Sequence, residues 1–235
     1  MTTNFRLNFR LLGPAHLLIL GAVVSLAAAL ALAERRLAPG TKWLRIGLGV
    51  VLLADSAFWY SYLAATGQRI FPSRIPLELC DLTLYLVAIA LFTLSPAWFD
   101  VAYYWALAGS GMALLTPDLK GPFPSVVAIQ FFVQHGLSVC GVLYLVWSGQ
   151  ARPRPGSVAR TMIAVNVLAA FDGVFDWVFK TDYMYLCIKP ASATLLSFLG
   201  AWPWYIAASE PVALLLFLLL YLPFGVRRRI GAGGR

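Results

Sequence analysis

Ionisable, amide and thiol side chains occur within or beside the apolar segments of this sequence, and these are the residues equipped for chemistry: Asp55, Glu78, Cys80, Asp81, Gln134, His135, Asp172 and Asp176. Such groups are costly at membrane depth, so each requires a partner or a purpose. A thiol beside an imidazole becomes an activated nucleophile, because the imidazole lowers its pKa and accepts its proton. The alternative for any single Asp or His is a structural contact between helices, worth under about 1 kcal/mol.

The elements that position these residues are predicted to be membrane helices. The sequence is 60% hydrophobic and 12% charged, with a mean hydropathy of +0.78, whereas roughly a quarter of a soluble domain is charged. A crossing needs about 20 apolar residues. We therefore predict an all-α integral membrane protein, a single domain spanning residues 1–235, with about seven transmembrane helices at about 14–33, 44–66, 77–94, 98–116, 126–147, 158–179 and 207–224.

The net charge of +8 marks an orientation rather than a nucleic-acid partner, because the basic residues lie between the apolar runs and form no patch with aromatics. With the N-terminus outside, 11 of the 18 Lys and Arg residues are cytoplasmic: Arg35, Arg36, Lys42, Arg45, Arg152, Arg154, Arg160, Arg227, Arg228, Arg229 and Arg235. The positive-inside rule therefore favours N-out and C-in. The three cysteines match no zinc spacing and no disulfide framework, and we expect neither metal nor cofactor.

Residues 180–206 form an unusual connection, too long for a simple turn yet rich in Tyr, Trp and Leu. Its segment Gly200–Tyr205 is typical of an interfacial aromatic belt. In the predicted topology most of the unusual polar residues lie in the outer half of the bundle, beneath this loop. The sequence thus favours an outward-facing cavity with a lid or entry gate, or alternatively a re-entrant or surface-lying segment.

Several short segments resemble one family of membrane proteins, in order and with matching spacing from about residue 71 to 224. They are the Leu-Glu-Leu-Cys-Asp core of Phe71–Asp81, Leu115–Asp118, Gln130–Phe132 with His135-Gly136, Asp182–Leu186, Lys189–Ala191, Gly200–Tyr205 and Tyr221–Phe224. They resemble the YwaF-like bacterial integral membrane proteins, related to vertebrate transmembrane protein 164 and similar in fold to the androgen-induced membrane hydrolases.

This resemblance implies a cysteine-dependent acyltransferase or hydrolase acting on membrane phospholipid or fatty-acyl lipid in a bacterial cytoplasmic membrane. By position, Cys80 is the nucleophile and His135 the histidine. Asp182-Tyr183 stands where such proteins usually have Asn-Tyr, so headgroup specificity differs if that amide orients the substrate. The residues expected to bind substrate or support the site are Glu78, Asp81, Gln134, Asp55, Asp172, Asp176, Asp182, Tyr183 and Trp204.

The pairing of Cys80 with His135 is the sharpest prediction. Their side chains should lie within about 3–5 Å, which requires that the third helix start low or tilt, because His135 is expected about 15 Å below the outer surface. One alternative is a non-enzymatic lipid or small-molecule binding or transport protein that uses the same cavity. A haem or metal protein held by His16 and His135 is disfavoured, because the two histidines are expected at different depths.

Overall fold

The computed structural model describes residues 9–36, 42–119, 122–190 and 194–232, and these residues form helices, turns and loops without any strand. Arg235 and Ala191 lie outside the described residues, as do the side chains of Arg227, Arg228 and Arg229. The helices are α1 (Pro14–Arg36), α2 (Trp43–Ala65), α3 (Leu79–Thr93), α4 (Pro96–Tyr104), a π-helical segment (Trp105–Ser110), α5 (Gly111–Leu115), α6 (Val126–Trp147), α7 (Ser157–Phe179) and α8 (Trp204–Ala232).

Five described helices are long and apolar enough to cross a membrane: α1, α2, α6, α7 and residues Trp204–Gly225 of α8. The chain is therefore a multi-pass helical membrane protein. The third predicted helix has only 15 residues. The fourth is helical throughout 96–115, with the π-helical segment between its two α-helical parts, α4 and α5. Seven crossings require both of these stretches to span as well, and that count stays a prediction.

Helix α6 lies at the centre of the bundle. In its most apolar window 61% of the residues are buried, against 11–22% in the other four helices, whose apolar side chains are largely exposed on the outside of the bundle. Two glycines permit the close packing. A Cβ at Gly136 would come within 2.9 Å of Val23 in α1, and one at Gly141 within 2.7 Å of Val87 in α3. Small residues of this kind let helix backbones approach closely in a membrane.

The bundle has two chemically different ends. At the arginine end, where α1 and α6 finish, Arg35 donates to Trp147 O and Arg45 donates to Leu91 O at 2.6 Å. At the opposite end, called the site end, α1 and α6 begin. His16 Nδ1 accepts from Leu12 N at 3.0 Å, and Nε2 then donates to Leu114 O at 2.7 Å. Helices α1, α3, α6 and α8 therefore run from the site end to the arginine end, and α2, α4 and α7 run back.

A buried ion cluster at the arginine end was not foreseen from the sequence. The Asp100 carboxylate, 1% exposed, accepts from Arg154 N, from Arg154 Nε and from Arg160. The two guanidinium side chains are 42% and 46% exposed. The cluster joins the start of α4 to the start of α7. It gives Arg154 and Arg160 a structural role in addition to the topological one predicted for them.

Candidate functional site

The low start of α3 brings Cys80 to the depth of His135. Helix α3 begins only at Leu79, below an irregular segment over residues 66–78, while α6 begins higher, at Val126. Gln134 Nε2 donates to Asp81 Oδ1 at 2.7 Å, and this hydrogen bond places the two side chains at one level. Cys80 precedes Asp81 and His135 follows Gln134. Cys80 and His135 therefore lie at similar depth in the bundle, whereas the sequence suggested that His135 lies deeper.

The same contact turns Cys80 and His135 toward one side of the bundle. Helices α3 and α6 run in parallel, and each residue advances about 100° around a right-handed helix. Cys80 comes one residue before Asp81, and His135 comes one residue after Gln134. Because Asp81 and Gln134 face each other across two parallel helices, these opposite steps turn Cys80 and His135 to the same side of the α3–α6 contact. The π-helical segment packs against both helices there. Both candidate catalytic residues thus lie on the same side of the α3–α6 contact.

The immediate contacts of the two residues are consistent with this placement. The Ser110 hydroxyl, at the end of the π-helical segment, lies beside the Cys80 thiol. His135 is buried, its Nδ1 lies 2.6 Å from Phe131 O, and its ring packs on that of Phe131 at 4.2 Å between centroids. In the described part of the chain no hydrogen bond joins Cys80 to His135. Their approach to within 3–5 Å stays a prediction.

The opposite side of the α3–α6 contact carries a chain of polar side chains. Gln130 donates to Asp55 at 3.4 Å and to Gln134 Oε1 at 2.7 Å, and Gln134 in turn donates to Asp81. This connects α2, α6 and α3 through two amides with a carboxylate at each end. Asp55, Asp81 and Gln134 were all predicted to support the site, and the structure brings them together. Gln130 lies one turn before Gln134 on the same face of α6.

Residues 181–185, the first part of the connection between α7 and α8, fold over the start of α3. The Asp176 carboxylate, 2% exposed at the end of α7, accepts from Tyr183 N at 2.9 Å and from Thr181 Oγ1 at 2.6 Å. Tyr183 Oη donates to Pro72 O at 2.7 Å and accepts from Ile75 N at 3.1 Å. Burial, together with nearby carboxylates, raises the pKa of Tyr183 to about 12. Tyr183 therefore holds the loop on the segment that leads to Cys80.

A second tyrosine, Tyr185, lies nearer the Cys80 thiol than Tyr183 does, and it was not among the residues predicted to support the site. The Tyr185 hydroxyl donates to Asp118 Oδ2 at 3.2 Å, and Tyr185 lies near Glu78 and Cys80. Glu78, the residue before α3, accepts from Met184 N at 3.1 Å. Met184 and Tyr185 have left-handed backbone angles, with φ of 54° and 56°. Such angles are costly outside glycine, and surrounding contacts must maintain them.

The other residues predicted to support the site, Asp172, Asp182 and Trp204, form no hydrogen bond to Cys80 or His135 among the described residues. Asp182 Oδ1 accepts from Cys187 N at 2.8 Å and Ile188 N at 3.2 Å, so it shapes the loop itself. Trp204 is 72% exposed at the start of α8. Asp172 is fully buried one turn before Asp176, and neither of its carboxylate oxygens has a hydrogen-bond partner among the described residues. We find no contact that assigns Asp172 a role.

One group of residues has the composition of a metal-binding cluster. The ligand atoms of Asp176, Asp182 and Cys187 lie within 4.8 Å of one another. Both carboxylates already accept backbone N–H groups of the loop, and this loop geometry explains their proximity. Partial desolvation, then the carboxylates of Asp182 and Asp176, raises the pKa of the Cys187 thiol. Because hydrogen bonds within the loop already account for the proximity of these residues, the cluster is no evidence for a bound metal.

The fold and the polar site define a polytopic helical membrane protein with a thiol, an imidazole and several carboxylates gathered near one end. The sequence profile of the TMEM164 family matches residues 11–221, which is most of the chain. The chain belongs to the TMEM164 family, as the short segments around Cys80 and His135 predicted. No curated protein and no solved structure matches the chain.

Proposed function

We propose that this chain is a membrane-embedded lipid acyltransferase or lipid-ester hydrolase in which Cys80 is the nucleophile and His135 the base. The observation that supports this most strongly is the Asp81–Gln134 hydrogen bond between parallel helices. In this proposal the bond holds the neighbouring Cys80 and His135 at similar depth and on the same side of the α3–α6 contact. Membership of the TMEM164 family is in keeping with lipid acyl chemistry.

The chemistry proceeds in two steps. His135 takes the proton of Cys80, and the thiolate attacks the carbonyl carbon of an acyl ester, forming a C–S bond as the ester C–O bond breaks. The leaving alkoxide receives the proton from His135. In the second step His135 takes a proton from a lysolipid hydroxyl or from water. That oxygen attacks the thioester, and the departing Cys80 thiolate regains the proton.

Backbone N–H groups at the start of α3 are suited to hold the negative charge that develops on the carbonyl oxygen. The N–H groups of Asp81 and Leu82 are satisfied by Glu78 O. Those of Leu79 and Cys80 precede the first intrahelical bonds of α3 and have no backbone acceptor among the described residues. Free donors at a helix start favour an oxyanion. The Ser110 hydroxyl is buried beside the thiol and adds a further donor.

We further propose that the site end faces away from the cytoplasm of a bacterial cell. The described residues of the connection between α7 and α8, 180–190 and 194–203, would then form the lid over the site. The Arg35, Arg45, Arg152, Arg154 and Arg160 side chains gather at the other end, as the positive-inside rule expects. A reporter enzyme fused after Arg235 should be active only in the cytoplasm. Activity of the fusion outside would reverse the orientation.

The enzymatic proposal is tested with the purified chain in vesicles that contain a phospholipid with a labelled acyl chain and an unlabelled lysolipid. Transferred label and released fatty acid are measured together, which separates transfer from hydrolysis. Cys80→Ala and His135→Ala should abolish both products. Intact-mass analysis of the wild-type chain should show an acyl adduct at Cys80 that hydroxylamine removes, as a thioester requires.

The other two cysteines provide matched controls. Cys140 is fully buried in the core and Cys187 is exposed on the loop, so Cys140→Ala and Cys187→Ala should both retain activity. Full activity in Cys80→Ala would refute the nucleophile. If neither product forms while lipid binding persists in Cys80→Ala, the chain is a binding or transport protein instead.

A further inference from the structure

A polar pair lies between α7 and α8 on the outside of the bundle. Asn166 Nδ2 donates to Glu210 Oε2 at 3.0 Å, and Asn166 is exposed while Glu210 is half-buried. Asn166 follows the start of α7 by nine residues, and Glu210 follows the start of α8 by six. These separations correspond to about 14 Å and about 9 Å along the helices. The pair therefore lies well inside the membrane-spanning parts of both helices.

Apolar side chains surround this pair on the outer surface of both helices. The exposed positions of α7 include i−3, i+1, i+4 and i+8 relative to Asn166, and the same spacing from Glu210 gives exposed positions on α8. This spacing follows one face of a helix. The two faces lie side by side with the polar pair between them, and together they are called the α7–α8 face. Its apolar members are Ile163, Val167, Ala170 and Val174 on α7 and Ala207, Pro211, Leu214 and Leu218 on α8.

The Glu210 carboxylate has no cationic partner within the described ranges. Its hydrogen bond comes from the neutral amide of Asn166, and the ion pairs of the described residues are those of Asp100 with Arg154 and Arg160. An ionisable side chain at membrane depth is costly, so it ordinarily faces the bundle interior or pairs with a group of opposite charge. Glu210 does neither within its own chain. The α7–α8 face therefore carries a negative group that lacks its complement.

A second copy of the chain does not supply this complement at the depth of Glu210. In the described membrane-spanning helices the two histidines are buried, and the basic side chains lie near the arginine end. These basic residues are Arg35 and Arg36 of α1, Arg45 of α2 and Arg160 of α7. Polar and oppositely charged side chains join helices within a membrane. We propose that the α7–α8 face binds a membrane helix of another protein, one that carries a Lys or Arg side chain at the depth of Glu210.

The probe is a synthetic membrane helix of about 20 leucine and alanine residues with a single lysine at its centre. The helix carries an acceptor dye, and the full chain carries a donor dye at its C-terminus in the same lipid vesicles. Energy transfer should rise with peptide concentration and saturate. Companion peptides with leucine or glutamate at the centre should give only the transfer that random proximity produces. Equal transfer with all three peptides, or no saturation with the lysine peptide, would overturn the proposal.

Two variants locate the contact. Glu210→Gln removes the charge and keeps an oxygen that accepts from Asn166, so α7 and α8 stay joined. It should weaken binding of the lysine peptide by between about 5-fold and about 30-fold, the range of a polar contact between membrane helices. Ala170→Trp places a large side chain on the α7–α8 face and should weaken binding with the charge intact. Glu34→Gln is the matched control, because Glu34 lies at the arginine end and accepts from Tyr144.

Unchanged binding in both Glu210→Gln and Ala170→Trp would place the peptide on another surface and refute the assignment. Energy transfer between two differently labelled copies of the chain, if Glu210→Gln abolishes it, would assign the face to a second copy and also refute the proposal. Because a misfolded variant loses binding as well, each variant is first compared with the wild type by size-exclusion elution and thermal unfolding. Cys80→Ala should bind the lysine peptide normally, so the result is independent of acyl chemistry.

Discussion

Replacing Asp100 should destabilise the whole bundle, although the residue lies far from the candidate site. Asp100 accepts the Arg154 N–H at 3.0 Å and two guanidinium groups at 2.8 Å. Asp100→Ala leaves the Arg154 N–H without its acceptor, which costs about 1–3 kcal/mol. The guanidinium groups are nearly half exposed, so water restores much of their loss. Each of the two pairs then contributes about 0.2–1 kcal/mol, and the total is about 1.5–5 kcal/mol.

Thermal unfolding in detergent measures this loss. For a chain of this length each kcal/mol lowers Tm by about 2–4 °C, so Asp100→Ala should melt clearly below the wild type. Asp100→Asn keeps an acceptor for Arg154 N and should lose about half as much. Glu210→Ala is the matched control, since Glu210 accepts one exposed bond from Asn166. Equal melting of Asp100→Ala and Glu210→Ala would refute the role assigned to the cluster.

Three further changes have defined outcomes. Asp176→Ala removes the acceptor of Tyr183 N and should expose the 180–206 loop to protease while the helices stay intact, as gel analysis of the fragments would show. The pKa of Tyr183 is raised to about 12, so the unfolded chain loses the hydroxyl proton at lower pH than the folded chain does. The free energy of unfolding should therefore fall as pH rises from about 10 toward 12. In denaturation curves Tyr183→Phe should reduce this fall, and an unchanged pH dependence would contradict the prediction. Gly141→Ala places a Cβ 2.7 Å from Val87 and should cost about 1–3 kcal/mol, whereas Gly21→Ala, with open space around it, should be neutral.

The helices were largely predictable because apolar length and the breakers between runs act locally. The sixth region predicted, 158–179, is observed as Ser157–Phe179, and 126–147 is observed as Val126–Trp147. The last helix begins at Trp204, three residues earlier than predicted. Its aromatic start is equally compatible with an interfacial loop, so composition alone did not fix that boundary.

The relations between helices were less predictable, because hydropathy contains no information about relative depth. The level of Cys80 with His135 depends on how far α3 is withdrawn from the site end, which the Asp81–Gln134 bond reveals. The pairing of Asp100 with Arg154 and Arg160 joins residues more than 50 positions apart. Ser110 gave no signal in sequence, since a serine among alanines and glycines is typical of ordinary helix packing.

The π-helical segment Trp105–Ser110 has a consequence for comparing this chain with its relatives. A π-helical turn holds one residue more than an α-helical turn, so the stretch 96–115 contains an insertion within a helix rather than within a loop. Deleting one residue there would restore α-helical geometry and rotate Ser110 by about 100° relative to Tyr104, away from Cys80. A relative with a purely α-helical stretch would therefore align with a single-residue gap inside the helix, and such a gap would be a real structural difference rather than an alignment error.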